Sequence, residues 1–485
     1  MEINKKVILF GASLAGKRMA FLFLNTIEKE ISFFVDNDKR KWGTTLLQRE
    51  IYSPEYLKSI DKQNYIVIIA SMYSDEISLQ LNNLGFKMNE NYYLMENVIT
   101  YLLESYYNEE KNILQLKSKF KKAPAMESDN NKVIIVLPNG FVIGGLEIWS
   151  KNLFKQLLHD QKDCYILNLS PLNTNNFLKR NILSFEFDYS NYIQSLEDLM
   201  VLVNELSPVT IISNTSEEIM LACKLLNRTG ISKDVNLIAV IHSDLLSSYE
   251  QYRRFERYTT KFICVSEEIQ RKFRRILPHR DKDIVAKISP ISIKKSHSRM
   301  YSVENQPIKL GYVARLIKKD KRSHDIIPFL EALERVKQKY ELHIAGDGEC
   351  FKLIDEYVKK NGLESKVVLY GQISNEEIYS FWETKDIFLN FSEREGTSIS
   401  MLEALANGVV PVLTNVSGVA KFVDHGENGF IVEPKEIGKM VEYIKLLSDN
   451  KKLLPAFGQK SRGKVERNCS LEEYADYIWG CCEME

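Results

Sequence analysis

The sequence predicts an α/β protein made of doubly wound, mainly parallel sheets in three successive units. Short apolar runs recur along the chain, each followed by a polar or glycine-bearing loop and then an amphipathic helical stretch. That alternation calls for parallel strands covered on both faces. At 485 residues the chain can bury three cores of about 150 residues each.

Residues 1–122 read as a small Rossmann-like α/β module. Val7–Phe10 is a buried strand, and G-A-S-L-A-G-K turns at Gly11 and Gly16 into the helical run Arg18–Ile27. Ile31–Val35 and Tyr65–Ala70 supply further strands. Asp36 lies where a dinucleotide fold places its ribose-binding acid, but Ser13 stands where a pyrophosphate needs a middle glycine. Nucleotide binding and a structural or partner-docking role both fit this module. Tyr101–Lys122 reads as one helix, lysine-rich near its end, and residues 123–131 (A-P-A-M-E-S-D-N-N) as a linker.

The second unit, 132–300, opens with the strand Val133–Leu137, the loop P-N-G-F-V-I-G-G-L-E and a helix through Leu158. Paired glycines at Gly144-Gly145 let a backbone come close to a ligand, and also serve as a plain helix-entry turn. Strands follow at Cys164–Leu167, Val209–Ser213, Asn236–Ile241 and Phe262–Val265, with His242-Ser243-Asp244 directly after the third. Arg253, Arg254, Arg257, Arg271, Lys272, Arg274 and Arg275 alternate with Tyr252, Phe255, Tyr258, Phe273 and Ile276. Such a segment is either a solvated helix face or a dock for anionic lipid headgroups. Lys294–Gln306 reads as the connection to the next unit.

The third unit, 301–460, opens with Ile308–Val313 and the basic loop A-R-L-I-K-K-D-K. Leu342–Ala345 is followed by the turn Gly346-Asp347-Gly348, and Val367–Tyr370 by Gly371-Gln372. Ile387–Leu389 then leads into S-E-R-E-G-T-S-I-S-M-L-E-A-L-A-N-G-V-V-P at 392–411. Here the loop turns at Gly396, Thr397-Ser398 suit an N-cap, and Asn407-Gly408 suit a left-handed C-cap. A helix start at the carboxyl end of a parallel strand is an anion site. Glu395 and Glu403 flank it, which suits a ligand bearing both phosphates and hydroxyls. Helices at Lys435–Ser448 and Leu471–Gly480 close the chain.

Bulk composition narrows the function. Lys plus Arg and Asp plus Glu both number 65, so no global field points to nucleic acid. The seven cysteines include no C-x-x-C pair, so zinc spacing is absent and reduced thiols are expected. The apolar opening is too short for a signal peptide and no run approaches the roughly 18 residues of a spanning helix. A cytoplasmic protein is expected, with peripheral contact to the inner face of the cell membrane left open.

The stretch S-x-x-E-G-x-S-x-x-x-L-E-A-L-A-x-G-x-x-P-V closely resembles the nucleotide-sugar motif of the retaining, two-domain glycosyltransferases of family 4, the group 1 transferases. The resemblance covers about 350 residues. It extends to Gly144-Gly145 with Glu147 and Trp149, to Ser266-Glu267, to Arg315 and Lys321, to the glycine-aspartate-glycine turn, and to T-N-V-S-G-V-A. The expected P-x-G between the domains is replaced by S-P-I-S-I. The front module resembles Rossmann-like modules appended to bacterial sugar-modifying enzymes.

The resemblance implies a GT-B fold, two facing Rossmann-like domains, with residues 461–485 packing back on the first of them. It implies retaining, metal-independent transfer of a sugar from a nucleoside diphosphate, uridine diphosphate favoured, to a lipid-linked or glycan hydroxyl acceptor. No cofactor beyond that co-substrate is implied, and no D-x-D motif sits where a strand would present it. Arg315 and Lys321 would neutralise the leaving diphosphate, Glu395 would bond donor-sugar hydroxyls, and Glu403 the ribose. Gly396, Thr397 and Ser398 would offer amides to the phosphates, Gly144, Gly145 and Gly346 would line the donor site, and His242 the donor–acceptor junction. Surface-polysaccharide assembly is the expected setting. Two other functions compete: a non-catalytic paralogue that presents substrate to a partner transferase, and a dinucleotide-dependent sugar-modifying enzyme acting through the front module.

Overall fold

The computed structural model describes residues 5–26, 29–71, 73–120, 132–141, 144–170, 181–232, 234–293 and 299–482. The linker expected over 123–131 lies outside the described residues. By contact the chain divides into two compact units. The first joins Met1–Ser128 to Phe185–Pro208 and Glu217–Val235; the second comprises Asp129–Ser184, Val209–Ser216 and Asn236–Glu485. The first thus recruits two stretches that the sequence reading assigns to the middle of the chain.

The first unit is built on six strands: Lys6–Phe10 (β1), Ile31–Val35 (β2), Thr45–Leu46 (β3), Arg49–Tyr52 (β4), Tyr65–Ile69 (β5) and Tyr92–Leu94 (β6). Their order is β3-β4-β2-β1-β5-β6, parallel except for the β3–β4 pair. The turn after β1 requires glycine twice. Gly11 has φ +123° and a Cβ there would lie 2.3 Å from the Ala70 carbonyl oxygen, while one on Gly16 would lie 1.8 Å from the Gly11 oxygen.

Asp36 is not available in the way the sequence suggests. Its carboxylate accepts from the Ala12 amide at 2.7 Å and the Asp38 amide at 2.8 Å, with Lys41 Nζ at 2.9 Å. A ribose would have to displace these bonds, so the acid closes the turn instead. The expected helix Tyr101–Lys122 is two helices, Met95–Tyr106 and Glu110–Lys119. The break falls where Tyr107 is buried and its hydroxyl donates to Glu197 Oε1 at 3.1 Å, a tertiary bond that outweighs helical continuity. In the same unit Arg18 stacks on Tyr189, 3.7 Å from the ring centroid.

The second unit holds two doubly wound sheets. One comprises Lys132–Leu137 (β7), Cys164–Asn168 (β8), Ile182–Ser184 (β9), Val209–Ser213 (β10), Val235–Ile241 (β11), Lys261–Cys264 (β12) and Ile284–Ala286 (β13), in order β13-β12-β11-β10-β7-β8-β9. The other comprises Ile308–Val313 (β14), Tyr340–Ala345 (β15), Val367–Gly371 (β16), Ile387–Asn390 (β17), Val410–Thr414 (β18) and Phe430–Val432 (β19), in order β16-β15-β14-β17-β18-β19, parallel throughout. In the second of these sheets the central strands are apolar on both faces, as parallel strands under helices must be: Leu310, Ile344, Ile387 and Val412 are buried on one face and Ala345, Phe388 and Leu413 on the other.

Strand order reverses between β7 and β10 in one sheet, and between β14 and β17 in the other. Ligands bind outside the carboxyl ends of parallel strands at such switch points. The loops at those positions take in residues 138–141 and 144 and residues 214–216 in the first sheet, and residues 314–322 and 391–398 in the second. These are the segments the sequence motifs single out.

Candidate active site

Between the two sheets of the second unit lies a cavity of about 510 Å³. Every site residue proposed from sequence lines it: Glu395, His242, Lys321 and Arg315, then Glu403, Gly396, Thr397, Ser398, Gly144, Gly145 and Gly346. Six acidic side chains and three basic ones share the lining, a composition for a ligand rich in hydroxyls and carrying a local negative charge.

The motif helix, Ile399–Ala406, is buried on all sides rather than along one stripe, Glu403 included. Ser398 caps it, its hydroxyl accepting from the Met401 amide at 3.3 Å, and Gly408 at φ +73° ends it. Thr397 donates its hydroxyl to the Val265 carbonyl at 2.6 Å, across the cleft. Both hydroxyls are therefore engaged, whereas the amides of Gly396, Thr397 and Ser398 have no acceptor among the described residues. They form the open N-terminal end of the helix, where an anion is favoured.

Gly396 makes that close approach possible. A Cβ there would lie 2.0 Å from the His242 carbonyl oxygen, so any side chain would push the two halves of the cleft apart. The glycine-aspartate-glycine turn answers a similar demand. Cβ atoms on Gly346 and Gly348 would meet the Ala314 and Leu316 carbonyl oxygens at 1.9 and 2.6 Å, both glycines having positive φ.

Lys321 forms an ion pair with Glu395 Oε1, which also accepts from Ser392 Oγ at 2.8 Å. The Glu393 amide donates to the Asp320 carbonyl at 2.7 Å, tying the basic loop to the motif loop. Arg315, in contrast, makes no ion pair among the described residues and is exposed to the cavity. Among the described residues no ion pair reaches Glu403, and burial pushes its carboxyl up to about 8.

His242 carries a tautomer that the surrounding bonds determine. Asn214, fully buried, directs its Nδ2 to the Val136 carbonyl and to Ser150 Oγ, each at 3.2 Å. A carbonyl only accepts, so Asn214 Oδ1 faces His242 Nε2 at 2.9 Å, and that nitrogen must bear the proton. Nδ1 is then left as an acceptor, and burial holds the ring neutral by lowering its pKa to about 3. Trp149 meets the ring edge to face at 5.2 Å. Nitrogen-15 spectra are expected to show the Nε2–H form unchanged from pH 5 to 8, and Asn214→Asp to raise the imidazole pKa. A mixture of tautomers in the unaltered protein would contradict the assignment. Sequence reasoning misses Asn214, because a single asparagine after an apolar strand has no pattern of its own.

Both halves of the cleft also meet directly. Ser266 Oγ and Ser417 Oγ are 2.7 Å apart, the Gly418 amide donates to Glu268 at 3.2 Å, and Lys421 pairs with Glu267 at 2.9 Å. The helix Leu471–Cys482 packs on the helix Gly145–His159, with Tyr474 against Trp149. In the basic segment the aromatic residues turn to the core. Tyr252, Phe255 and Phe273 are fully buried, and ten basic side chains between Asp244 and Asp283 are offset by seven acidic ones. Arg257, Arg275 and Lys282 remain exposed. Among the described residues no helix is long and apolar enough to cross a membrane, and no group of three or more His, Cys, Asp or Glu is placed to hold a metal ion.

The family model "Glycosyl transferases group 1" matches residues 294–464, and "C2185-like, N-terminal" matches residues 3–91. The chain is 29% identical over 182 residues to the capsular polysaccharide biosynthesis glycosyltransferase CapM of Staphylococcus aureus, covering 37% of this chain and 46% of that one. It is 26% identical over 240 residues to N-acetyl-alpha-D-glucosaminyl L-malate synthase of Bacillus anthracis, covering 49% and 56%. The chain thus spans about half the length of the curated relatives it matches. Among solved structures, Anabaena Alr3699/HepE in complex with UDP-glucose superposes with a TM-score of 0.59 at 16% identity, over 72% of this chain and 99% of that one. The likeness shows a GT-B fold.

Proposed function

We propose that this chain, which carries a group 1 glycosyltransferase domain, moves a sugar from a nucleoside diphosphate to a hydroxyl acceptor, with retention and without a metal, in bacterial surface-glycan assembly. The observation that supports it is that Arg315, Lys321 and three amides without acceptors at one helix start line the same cavity as Glu395 and Glu403. A departing diphosphate gains negative charge as the glycosidic bond breaks, and prearranged cations and amides stabilise that charge. Glu403 would take the ribose hydroxyls and Glu395 those of the donor sugar, while His242 Nδ1 accepts from a hydroxyl at the junction. The acceptor is a glycan or lipid-linked hydroxyl. Uridine diphosphate is favoured as the carrier because a structural neighbour is described in complex with UDP-glucose.

The test is a panel of uridine, guanosine and adenosine diphosphate sugars, read by thermal shift and by release of free sugar. One carrier is expected to raise the melting temperature of the unaltered protein and to be turned over, and Glu403→Ala to lose both. No stabilisation by any carrier would end this reading, and binding without turnover would favour the non-catalytic paralogue.

A further inference from the structure

The turn that carries Lys321 is left-handed on both sides of it. Asp320 has φ +57° and Arg322 φ +48°, a region that glycine enters freely and a bulky side chain rarely does. Between them the Lys321 amide donates to the Lys319 carbonyl at 2.6 Å, which closes the turn tightly. Arg322 offsets its backbone strain through its side chain. Its Nε and Nη2 donate to the Asp325 carboxylate at 2.7 and 3.0 Å, a two-pronged bond largely shielded from solvent. Asp325 leads into the helix Ile326–Arg335, so the turn is anchored to a regular element. On the other side Nη1 reaches Glu393 of the motif loop at 3.4 Å. Glu393 is exposed and that pair is the weaker one. The amides of Glu393 and Arg394 reinforce it, both donating to the Asp320 carbonyl, at 2.7 and 3.4 Å.

Arg322, Asp325 and Glu393 stand outside the cavity lining, whereas their chain neighbours Lys321, Arg394 and Glu395 line it. The Arg322 guanidinium therefore acts on the two loops and not on a ligand in the cavity. A cation stabilises a developing charge fully only when it is held within a fraction of an ångström, and Lys321 ends a long flexible stem. Fixing its backbone limits where that stem places the charge. We propose that Arg322 is a positioning residue: tied to Asp325 and Glu393, it holds the left-handed turn that presents Lys321 and locks the basic loop to the motif loop. This rests on the proposed transfer reaction only for what Lys321 does there; the lock itself belongs to the unliganded protein.

Hydrogen exchange tests the lock without any substrate. Arg322→Ala is expected to speed exchange of the Glu393 and Arg394 amides by about tenfold or more, with the rest of the β14–β19 sheet unchanged. Unchanged exchange at both amides would overturn the proposal, whatever reaction the cleft performs. Steady-state transfer then reads the consequence. If the unaltered protein turns over no nucleoside diphosphate sugar, the transfer reading fails and exchange alone decides the lock. With a donor that is turned over, kcat is expected to fall about 10- to 100-fold in Arg322→Ala while the donor KM stays within about threefold. Arg322→Lys keeps the charge without the fork and should recover little. Arg322→Gly relieves the positive φ, so it should melt above Arg322→Ala yet transfer as slowly. In a Lys321→Ala background Arg322→Ala should cost nothing further, since both act through one charge. Independent losses in that pair, or transfer at the unaltered rate in Arg322→Gly, would overturn the assignment.

Discussion

Arg315→Ala is expected to slow transfer by about 10²–10³-fold, and Arg315→Ala with Lys321→Ala by roughly 10⁴-fold or more. The two cations are not equivalent, and the difference decides how the experiment is read. Arg315 has no ion pair among the described residues, so its loss removes charge from the reaction and little from the fold. Lys321 is paired with Glu395, with the two side chains 18% and 9% exposed. Removing it leaves a buried acid without its cation, a change that costs about 3–5 kcal/mol in comparable pairs. Lys321→Ala should therefore lower the melting temperature, and adding Glu395→Gln should restore part of it without restoring transfer. Arg315→Ala should fall in kcat while melting as the unaltered protein does. Transfer at near-normal speed in the double variant would remove the diphosphate from this part of the cleft.

What could be read from sequence was whatever the backbone itself demands. Gly396, Gly346 and Gly348 stand where a Cβ would strike a carbonyl oxygen, and such contacts leave fixed spacings in the chain. Strand alternation placed the loops at two switch points, and so the eleven expected residues meet in one cavity. Tertiary bonds were not legible. Tyr107 breaks a helix to reach Glu197, ninety residues away. The helix Leu453–Asn468 carries Pro455, Gly458 and Gly463, residues that argue against a helix locally. Pro455 falls in the first turn, where proline is tolerated. A Cβ on Gly458 would meet Tyr301 Oη at 2.1 Å and the Gly408 oxygen at 2.2 Å, so packing requires what propensity disfavours. In the basic segment a solvated face and a lipid dock both stayed open, because periodicity cannot tell an aromatic row facing the core from one facing outwards.

Glu403 is expected to make donor binding depend on pH, and its removal to weaken that binding about 100-fold. Burial pushes its carboxyl up to about 8, so near neutrality it is mostly protonated. Two ribose hydroxyls donating to it favour the ionised form and draw the pKa down. Binding below about pH 8 must then release a proton, so affinity rises with pH, by up to about tenfold per unit, and levels off above 8. Calorimetry in buffers of different ionisation enthalpy should show close to one proton released at pH 6–7 and none at pH 9. Glu403→Gln cannot ionise, and its affinity should be flat over that range. Stability runs the other way: from the ordinary value of 4.5 up through about 8 the unfolded chain gives up the proton while the folded one keeps it, so this contribution fades as pH rises. Glu403→Gln should then lose less melting temperature than the unaltered protein between pH 6 and 9. A pH dependence of donor affinity that survives in Glu403→Gln would place the ribose elsewhere.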